Sequence, residues 1–573
     1  MHGFILTISL KQILPEINYQ WKPLFDFQCA HIKRTMRSDN VQIEQYTAEK
    51  FIPEKLWIDN NDFYIITDGL ITNIDILKKK YDTTNSESLI RLLSEKNIDF
   101  FSEFTGNFVG IFWNKHNNSI TAFNNQTGTK KLFYYKSDTY CIFSTDLYTL
   151  SQTLDQLNIK KTIDIEASYL LLTSGFMHED YTLLSEVKQI IAGEYGYISD
   201  EKLDINSYYN LRDIKENTDT ENQIIDKLDK LFKEAIEIEF EFDKKHNLIP
   251  LTTLSGGLDS RIVALFAHDL DYKNQQLLNF SEKGYADEVI AKKIAESYKL
   301  KLTQIPLSSK SLLAIDDIVA VNDGLTLYTG AGHVFEAIKS NIPKEIGLIH
   351  TGILGDGFMG SYQNKIKEEK SFISDGAYSN MISNNKAINV IKHSILKYRT
   401  EELYKFYNRA FLGINNGFLF FNLISESVSP FTFPKFATYT FSIPRTYKYK
   451  KKIYIKWIKQ KHPEYSHFIW EAIGGKPTNN QLIRFIYRVK RAIIKRLPVH
   501  SMWKNNMNPE QSWYDNDPEV RTYLDNYYKD HIHLFEFNKE LMTDMMTHYE
   551  KGGITEKTQV LTLLSAYKLL FEK

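Results

Sequence analysis

The sequence predicts an α/β chain of two domains, a β-rich layered domain over 1–210 and a parallel-sheet domain over 221–573. Three observations predict it. At 573 residues the chain exceeds what one hydrophobic core usually supports. Short β-rich segments separated by Asn, Gly and Asp turns fill the first part, whereas strand and helix patterns alternate in the second. Between them, Asp200 to Thr220 is polar and rich in Asn and Asp, the composition of a junction.

Composition excludes several function classes. Hydrophobic residues at 43% and charged residues at 25% are those of a folded globular chain. The formal net charge of -1 supplies no overall drive toward nucleic acid, so no nucleic-acid partner is expected. Two cysteines, Cys29 and Cys141, cannot build a disulfide framework or a zinc site and fit a reducing compartment. Met1 to Glu16 lacks a basic segment ahead of a long apolar core, and no later run is long and apolar enough to span a bilayer. The expected location is cytoplasmic.

In the first domain, strands are expected at Phe4 to Ile8, Phe63 to Thr67, Phe108 to Trp113, Ser119 to Phe123, Leu132 to Lys136 and Tyr140 to Ser144, with helical spacing over Ser86 to Ser94. Glu221 to Phe242 has helical periodicity. It leads into the apolar strand Leu248 to Leu254 and then into Ser255-Gly256-Gly257-Leu258-Asp259-Ser260, after which a helix begins. The glycines let a polyanion approach the backbone, and the helix N-terminus turns free N–H groups toward it. Asp259 and Ser260 suit that first turn. Beyond it, Gln276 to Ser281 and Leu302 to Leu307 read as strands, and Asp287 to Leu300 and Ser311 to Val321 as helices. That alternation sets Ser255 and Phe280-Ser281 at one carboxyl edge of a parallel sheet, where such sheets bind ligands.

The string SGGxDS after an apolar strand resembles the pyrophosphate loop of ATP pyrophosphatases that release AMP; the Walker pattern G-x-x-x-x-G-K-[ST] is absent. A wider resemblance, to the asparagine synthetases, covers the chain up to about Asn480. Asp68-Gly69-Leu70-Ile71-Thr72-Asn73 stands where that family writes NGEIYN, Phe104 to Phe108 resembles LxGxFAF, Thr127 to Tyr134 resembles GxRPLYY, and Phe143 to Asp146 resembles FASE. The resemblance implies an αββα glutaminase-like (Ntn-type) sandwich followed by a Rossmann-like synthetase domain with a helical C-terminal extension.

The first domain departs from the family's chemistry. The family's nucleophile is a cysteine directly after the initiator Met, and this chain has His2, a poor substitute for a thiolate. Asp68 replaces an Asn, and Ser86 falls where an acid holding the glutamine amine is expected. The domain is therefore expected not to hydrolyse glutamine. Cys29, as an internal thiol without a free α-amine, reads as structural.

In the second domain, His350 to Tyr362 resembles the family's GEGADELFGGY: Gly352, Asp356, Gly360 and Tyr362 match, Gly357 replaces Glu, and Leu354 and Ser361 replace glycines. The resemblance implies ATP held by Ser255 to Ser260, Phe280, Ser281 and Gly352, with Mg2+ between Asp259 and Asp356, since Mg-ATP calls for carboxylates that leave room for waters and phosphate oxygens. Asp287-Glu288 reads equally as ligand contact or as a charged helix start. Ser429 to Pro434 resembles the PFLD element with Thr432 in place of its Asp. Gly474-Gly475-Lys476-Pro477 falls where the family carries RxKxGF, which makes Lys476, beside Asp356, the expected catalytic group; Lys448, Lys450, Lys451 and Lys452 are rivals.

Ile483 to Leu497 is an amphipathic helix carrying six basic residues and no acid. It reads either as a helix packed on the core with a solvated basic face or as one resting on an anionic membrane. Gln559 to Phe571 reads as a hydrophobic helix packed back on the domain. The function implied is an AMP-forming amide ligase that adenylates a small-molecule, sugar or peptide carboxylate and transfers it to ammonia or a substrate amine. Aspartate-to-asparagine synthesis and ATP binding without turnover are the alternatives.

Overall fold

Strand Phe63–Ile71 sets the layering of the first domain, because its alternate side chains serve two different cores. Tyr64 and Ile66 pack with Val109, Ile111, Phe4 and Phe143 between two sheets, while Phe63, Ile65 and Ile71 pack with Leu89, Ile90 and Leu93 beneath helix Ser86–Lys96. Asn85 starts that helix by accepting the Ser88 N–H at 2.8 Å. The computed structural model describes residues 3–22, 30–339, 342–367, 369–379, 381, 385–496, 503 and 506–572; His2, Cys29 and Leu497 lie outside them.

The first six-stranded sheet runs Val187–Gln189, Phe133–Lys136, Tyr140–Ser144, Gly3–Ser9, Val41–Ala48, His31–Arg37. The second runs Lys202–Ser207, Glu194–Ser199, Ser119–Asn124, Gly106–Asn114, Phe63–Ile71, Trp57–Asp59, and every pairing in both is antiparallel. Ile5, Phe133 and Ile142 face outward from the first sheet onto helices Leu147–Gln156 and Ile165–Ser174, completing an αββα sandwich.

The polar stretch read as a junction divides in two. Asp200 and Glu201, at φ 50° and 65°, make the tight turn that lets Lys202–Ser207 pair with Glu194–Ser199. This edge strand is largely exposed, which explains its polar composition. Thr220 then opens helix Glu221–Lys245 with a capping box.

The second domain is built on five parallel strands in the order Lys301–Leu307, Gln276–Glu282, Ile249–Thr253, Ile346–His350, Ser427–Val428. The helix expected over Ser311 to Val321 divides into a 3-10 turn, Ser309–Leu313, and helix Ile315–Asn322, with Ala314 between them at φ −89°, ψ 46°. Helix Ile554–Phe571 is apolar on most sides because it is wedged between the domains: its Leu570 carbonyl accepts the Ser151 hydroxyl at 2.7 Å, and its Thr562 Oγ1 accepts the Tyr328 N–H at 3.0 Å. Among the described residues, no helix is long and apolar enough to cross a membrane.

Candidate functional site

Strand order decides where the site lies. The chain starts the parallel sheet at Ile249–Thr253, builds outward on one side, then returns to lay Ile346–His350 on the other. The loops leaving these two neighbours part at their carboxyl ends, the crevice where open parallel sheets bind ligands. One of those loops is Ser255 to Ser260 and the other is Thr351 to Asp356.

The first loop is held from within and from outside. The Ser255 N–H donates to Ser260 Oγ at 2.9 Å, the two hydroxyls lie 3.1 Å apart, and the Gly257 N–H reaches Ser255 Oγ at 3.2 Å. The Gly256 peptide is fixed at both ends. Its N–H donates to Asp287 Oδ1 at 2.8 Å, and its carbonyl accepts the Arg261 guanidinium at 3.2 Å and the Glu471 N–H at 3.1 Å. Asp287 thus positions the loop, and burial pushes its carboxyl up to about 6 against the pull of the Gly256 amide. A Cβ on Gly256 would meet Asp287 Oδ1 at 2.7 Å and Glu471 Cβ at 2.9 Å, so only glycine fits between them.

The second loop packs directly on the start of helix Asp259–Asp269. A Cβ on Gly352 would lie 2.5 Å from the Ser260 nitrogen, and one on Gly355 would lie 2.8 Å from both Cβ and Cγ of Asp259. Leu354, at φ 65°, takes the left-handed conformation where the resemblance has a glycine, so backbone strain is held in this turn. The closeness brings Asp356 beside Asp259. Burial pushes the Asp259 carboxyl up to about 7; Lys451 works against that shift, Asp356 adds to it, and the Tyr454 hydroxyl, donating at 2.8 Å, lowers it.

Two neighbouring carboxylates at a glycine-lined helix start are a donor set suited to a hard divalent cation carrying phosphate oxygens. Beside them is a cavity of about 330 Å³ lined by both loops and by Leu254, Leu278, Phe280, His333 and Phe421. Those mostly apolar walls accept a planar base. Burial lowers the His333 imidazole to about 4, and its Nδ1 has no hydrogen-bond partner among the described residues.

Among the residues predicted from sequence, Ser255, Gly257, Asp259, Ser260, Phe280 and Gly352 line this cavity, and Gly256 and Leu258 complete the loop behind them. Ser281 does not line it. As the strand neighbour of Phe280 it points to the opposite face, where it is buried. Lys476 is exposed, and among the described residues it forms no ion pair with Asp259 or Asp356. Its rival Lys451 does: its ammonium lies 3.7 Å from Asp356 and over the Trp470 ring at 5.3 Å. Lys450 and Lys451 both take left-handed φ, 55° and 62°, so the turn into helix Lys452–Lys461 is strained at the residue that faces the acids. Lys448 is buried against Glu402 at 2.9 Å instead. Sequence reasoning passed over Gly355, whose place beside Asp356 was a signal, and His333 and Tyr454, for which the sequence carries none.

In the first domain, Asp68 is buried and hydrogen-bonded to Lys130 at 3.2 Å. Desolvation opposes its charge, yet Lys130 and Lys55 hold its carboxyl below the ordinary range. Glu426 of the second domain closes the cluster, 3.0 Å from Lys130 and 3.2 Å from Lys55.

Comparison with known proteins gives two family matches. Residues 56–209 match the glutamine amidotransferase domain and residues 227–406 match asparagine synthase. The chain is 25% identical over 228 residues to asparagine synthetase [glutamine-hydrolyzing] 2 of Bacillus subtilis (strain 168), covering 36% of this chain and 30% of that one. It is 24% identical over 215 residues to asparagine synthetase [glutamine-hydrolyzing] 3 of the same organism, covering 36% and 34%. The matched stretch therefore spans about a third of the length of these curated relatives. Two solved structures are also similar. "Structure of the allosteric regulatory enzyme of purine biosynthesis" has 8% identity and a TM-score of 0.22, over 53% of this chain and 74% of that one. Glutamine phosphoribosylpyrophosphate amidotransferase from B. subtilis complexed with ADP and GMP has 10% identity and a TM-score of 0.22, over 63% and 75%. A likeness of that size bears on neither fold nor function.

Proposed function

For a chain that belongs to the asparagine synthetase-like family, with its two matched domains in series, we propose an AMP-forming amide-bond ligase that draws no nitrogen from glutamine. The observation that carries this reading is the meeting of Asp259 and Asp356 across the crevice, held by two glycines that pack without side chains against the loop.

ATP enters as a substrate, with its base between Leu254, Phe280 and Phe421 and its β and γ phosphates against the Ser255 to Ser260 backbone. Asp259 and Asp356 would hold Mg2+, which supplies charge neutralisation on the phosphate oxygens. The oxygen of a substrate carboxylate attacks the α phosphorus, the bond from that phosphorus to the bridging oxygen breaks, and pyrophosphate leaves. The loop favours this split because it grips the two phosphates that depart together. Lys451 reaches the acids with its ammonium and offsets negative charge building on the phosphorus and the leaving oxygen. Ammonia or a substrate amine then attacks the acyl carbon, loses a proton, and displaces AMP to leave an amide.

The cluster at Asp68 supports the exclusion of glutamine. A carboxylate fixed by Lys130 and Lys55 stands where the resemblance expects a neutral amide, and its capacity is spent on tying the domains together. Pyrophosphate release with matching AMP formation, measured against amino acids, sugar carboxylates and peptides with ammonia present, tests the reading. It fails if ATP turns over to ADP, or if Asp259→Asn and Asp356→Asn both retain pyrophosphate release. Aspartate as the sole productive acid would narrow the function to asparagine synthesis.

A further inference from the structure

Helix Gln481–Arg496 is attached to the molecule by its basic side and shows its apolar side to solvent. Arg484 is only 5% exposed; its guanidinium donates to the Thr478 carbonyl at 2.6 Å and to the Lys450 carbonyl at 3.2 Å, and it lies over Trp470 at 5.4 Å. One and two turns on, Tyr487 covers Gly475, and Arg491 donates to the Glu471 carbonyl at 2.7 Å. The opposite stripe carries Leu482, Phe485, Ile486, Val489 and Ile493, exposed by 74%, 65%, 61%, 40% and 55%. An ordinary surface helix is arranged the other way round, with its apolar stripe against the core. A row of large side chains of this kind on a surface marks contact with another apolar phase.

The charges around the stripe identify that phase. Arg488, Lys490 and Arg496 are exposed, and the helix holds no acid from Gln481 to Arg496. A second copy meeting this face about a two-fold axis would set these cations against their own counterparts without an acid from either helix. A lipid surface with anionic headgroups takes both features at once: acyl chains accept the stripe and headgroups accept the cations. The whole chain is near neutral at a formal charge of -1, so the attraction would be local to this helix and would orient the molecule. We propose that helix Gln481–Arg496 lies in the interface of an anionic membrane, apolar stripe inward, and fastens the synthetase domain to it. The attachment is mechanically close to the nucleotide loop, because Arg491 holds the Glu471 carbonyl and the Glu471 N–H holds the Gly256 carbonyl at 3.1 Å.

The test is flotation of the full chain with vesicles of phosphatidylglycerol mixed into phosphatidylcholine, against phosphatidylcholine alone, at low and high salt. The expected result is flotation with the anionic vesicles only, weakened by salt. The double substitution Phe485→Ser with Ile486→Ser should reduce binding by about tenfold or more, and Lys490→Glu by about fivefold. All three positions are exposed, so thermal melting and gel filtration should match the parent. Absence of flotation with anionic vesicles at low salt overturns the proposal, as does equal binding by the serine variant. A concentration-dependent dimer that the serine variant abolishes, without vesicle binding by the parent, would assign the stripe to self-association and overturn it as well.

Discussion

Asp259→Asn should abolish pyrophosphate release and yet stabilise the ligand-free protein at alkaline pH. The carboxyl stands at about 7 in the folded chain against an ordinary 3.8, so the folded state resists its ionisation. A group raised in this way contributes its stability below the unfolded value and loses it as pH climbs from about 4 through 7. Full conversion of that difference gives about 4 kcal/mol, and solvent reaching the open side of this half-buried group reduces it to about 1–2 kcal/mol. The amide carries no charge and still accepts the Tyr454 hydroxyl that Asp259 accepts at 2.8 Å. For a domain this large the gain is about 1–4 °C in melting temperature at pH 8. It should shrink below half at pH 5 and disappear near pH 4. Scanning fluorimetry of both proteins across that range, with and without magnesium and ATP, reads it; the two ligands should raise the parent's melting temperature and leave the variant's nearly unmoved. A variant less stable than its parent at pH 8, or a difference independent of pH, would refute the account of Asp259 as a strained acid awaiting a cation.

Lys451→Ala should slow pyrophosphate release by about a hundredfold or more, whereas Lys476→Ala stays within about twofold of the parent, since only the former ammonium approaches the acids. Gly355→Ala should destabilise by about 1–3 kcal/mol and also depress activity, because its methyl would press on the buried Phe431 ring and on Asp259 alike; a fully active, equally stable variant contradicts the packing. Lys130→Ala leaves Asp68 and Glu426 buried without their shared cation and should cost about 3–5 kcal/mol, visible as a lowered urea midpoint. Glutamate release from glutamine should remain at background in the parent, while ammonia or an amine supports amide formation.

The sequence made the nucleotide loop legible because its residue types are dictated locally. Gly256 must be small between Asp287 and Glu471, and Asp259 must open a helix after a buried strand. The six first-domain strands expected from β-rich segments between Asn, Gly and Asp turns are all present, since β-branched and aromatic content and turn residues are local properties as well. What the chain order could not reveal were meetings between distant segments. His333 comes to the cavity on a helix whose pattern says only that it is buried, and Lys451 differs from its neighbours solely through the left-handed turn that aims it. Lys476 shares a residue type and chain position with the family's RxKxGF motif, but its place is decided by how Gly474 and Gly475 pack under helix Gln481–Arg496. That helix was legible as basic and amphipathic; which of its faces would be buried depends on tertiary packing.

The first domain is tied firmly to the second, and packing gives the reason. Its outer helices share one continuous core with the synthetase domain, and Leu170 and Leu171 belong to the same buried cluster as Ile262 and Leu563. Lys22, wholly buried, pairs with Asp323 of the second domain and lies 3.3 Å from Asp146 of the first. The Asp68, Lys130, Lys55 and Glu426 cluster makes a second such junction. Buried charges of this kind are tolerated only with every partner in place, so either domain alone would expose apolar surface and strand a charge. Asp68 belongs to that second junction, its carboxylate holding the two lysines that join the domains.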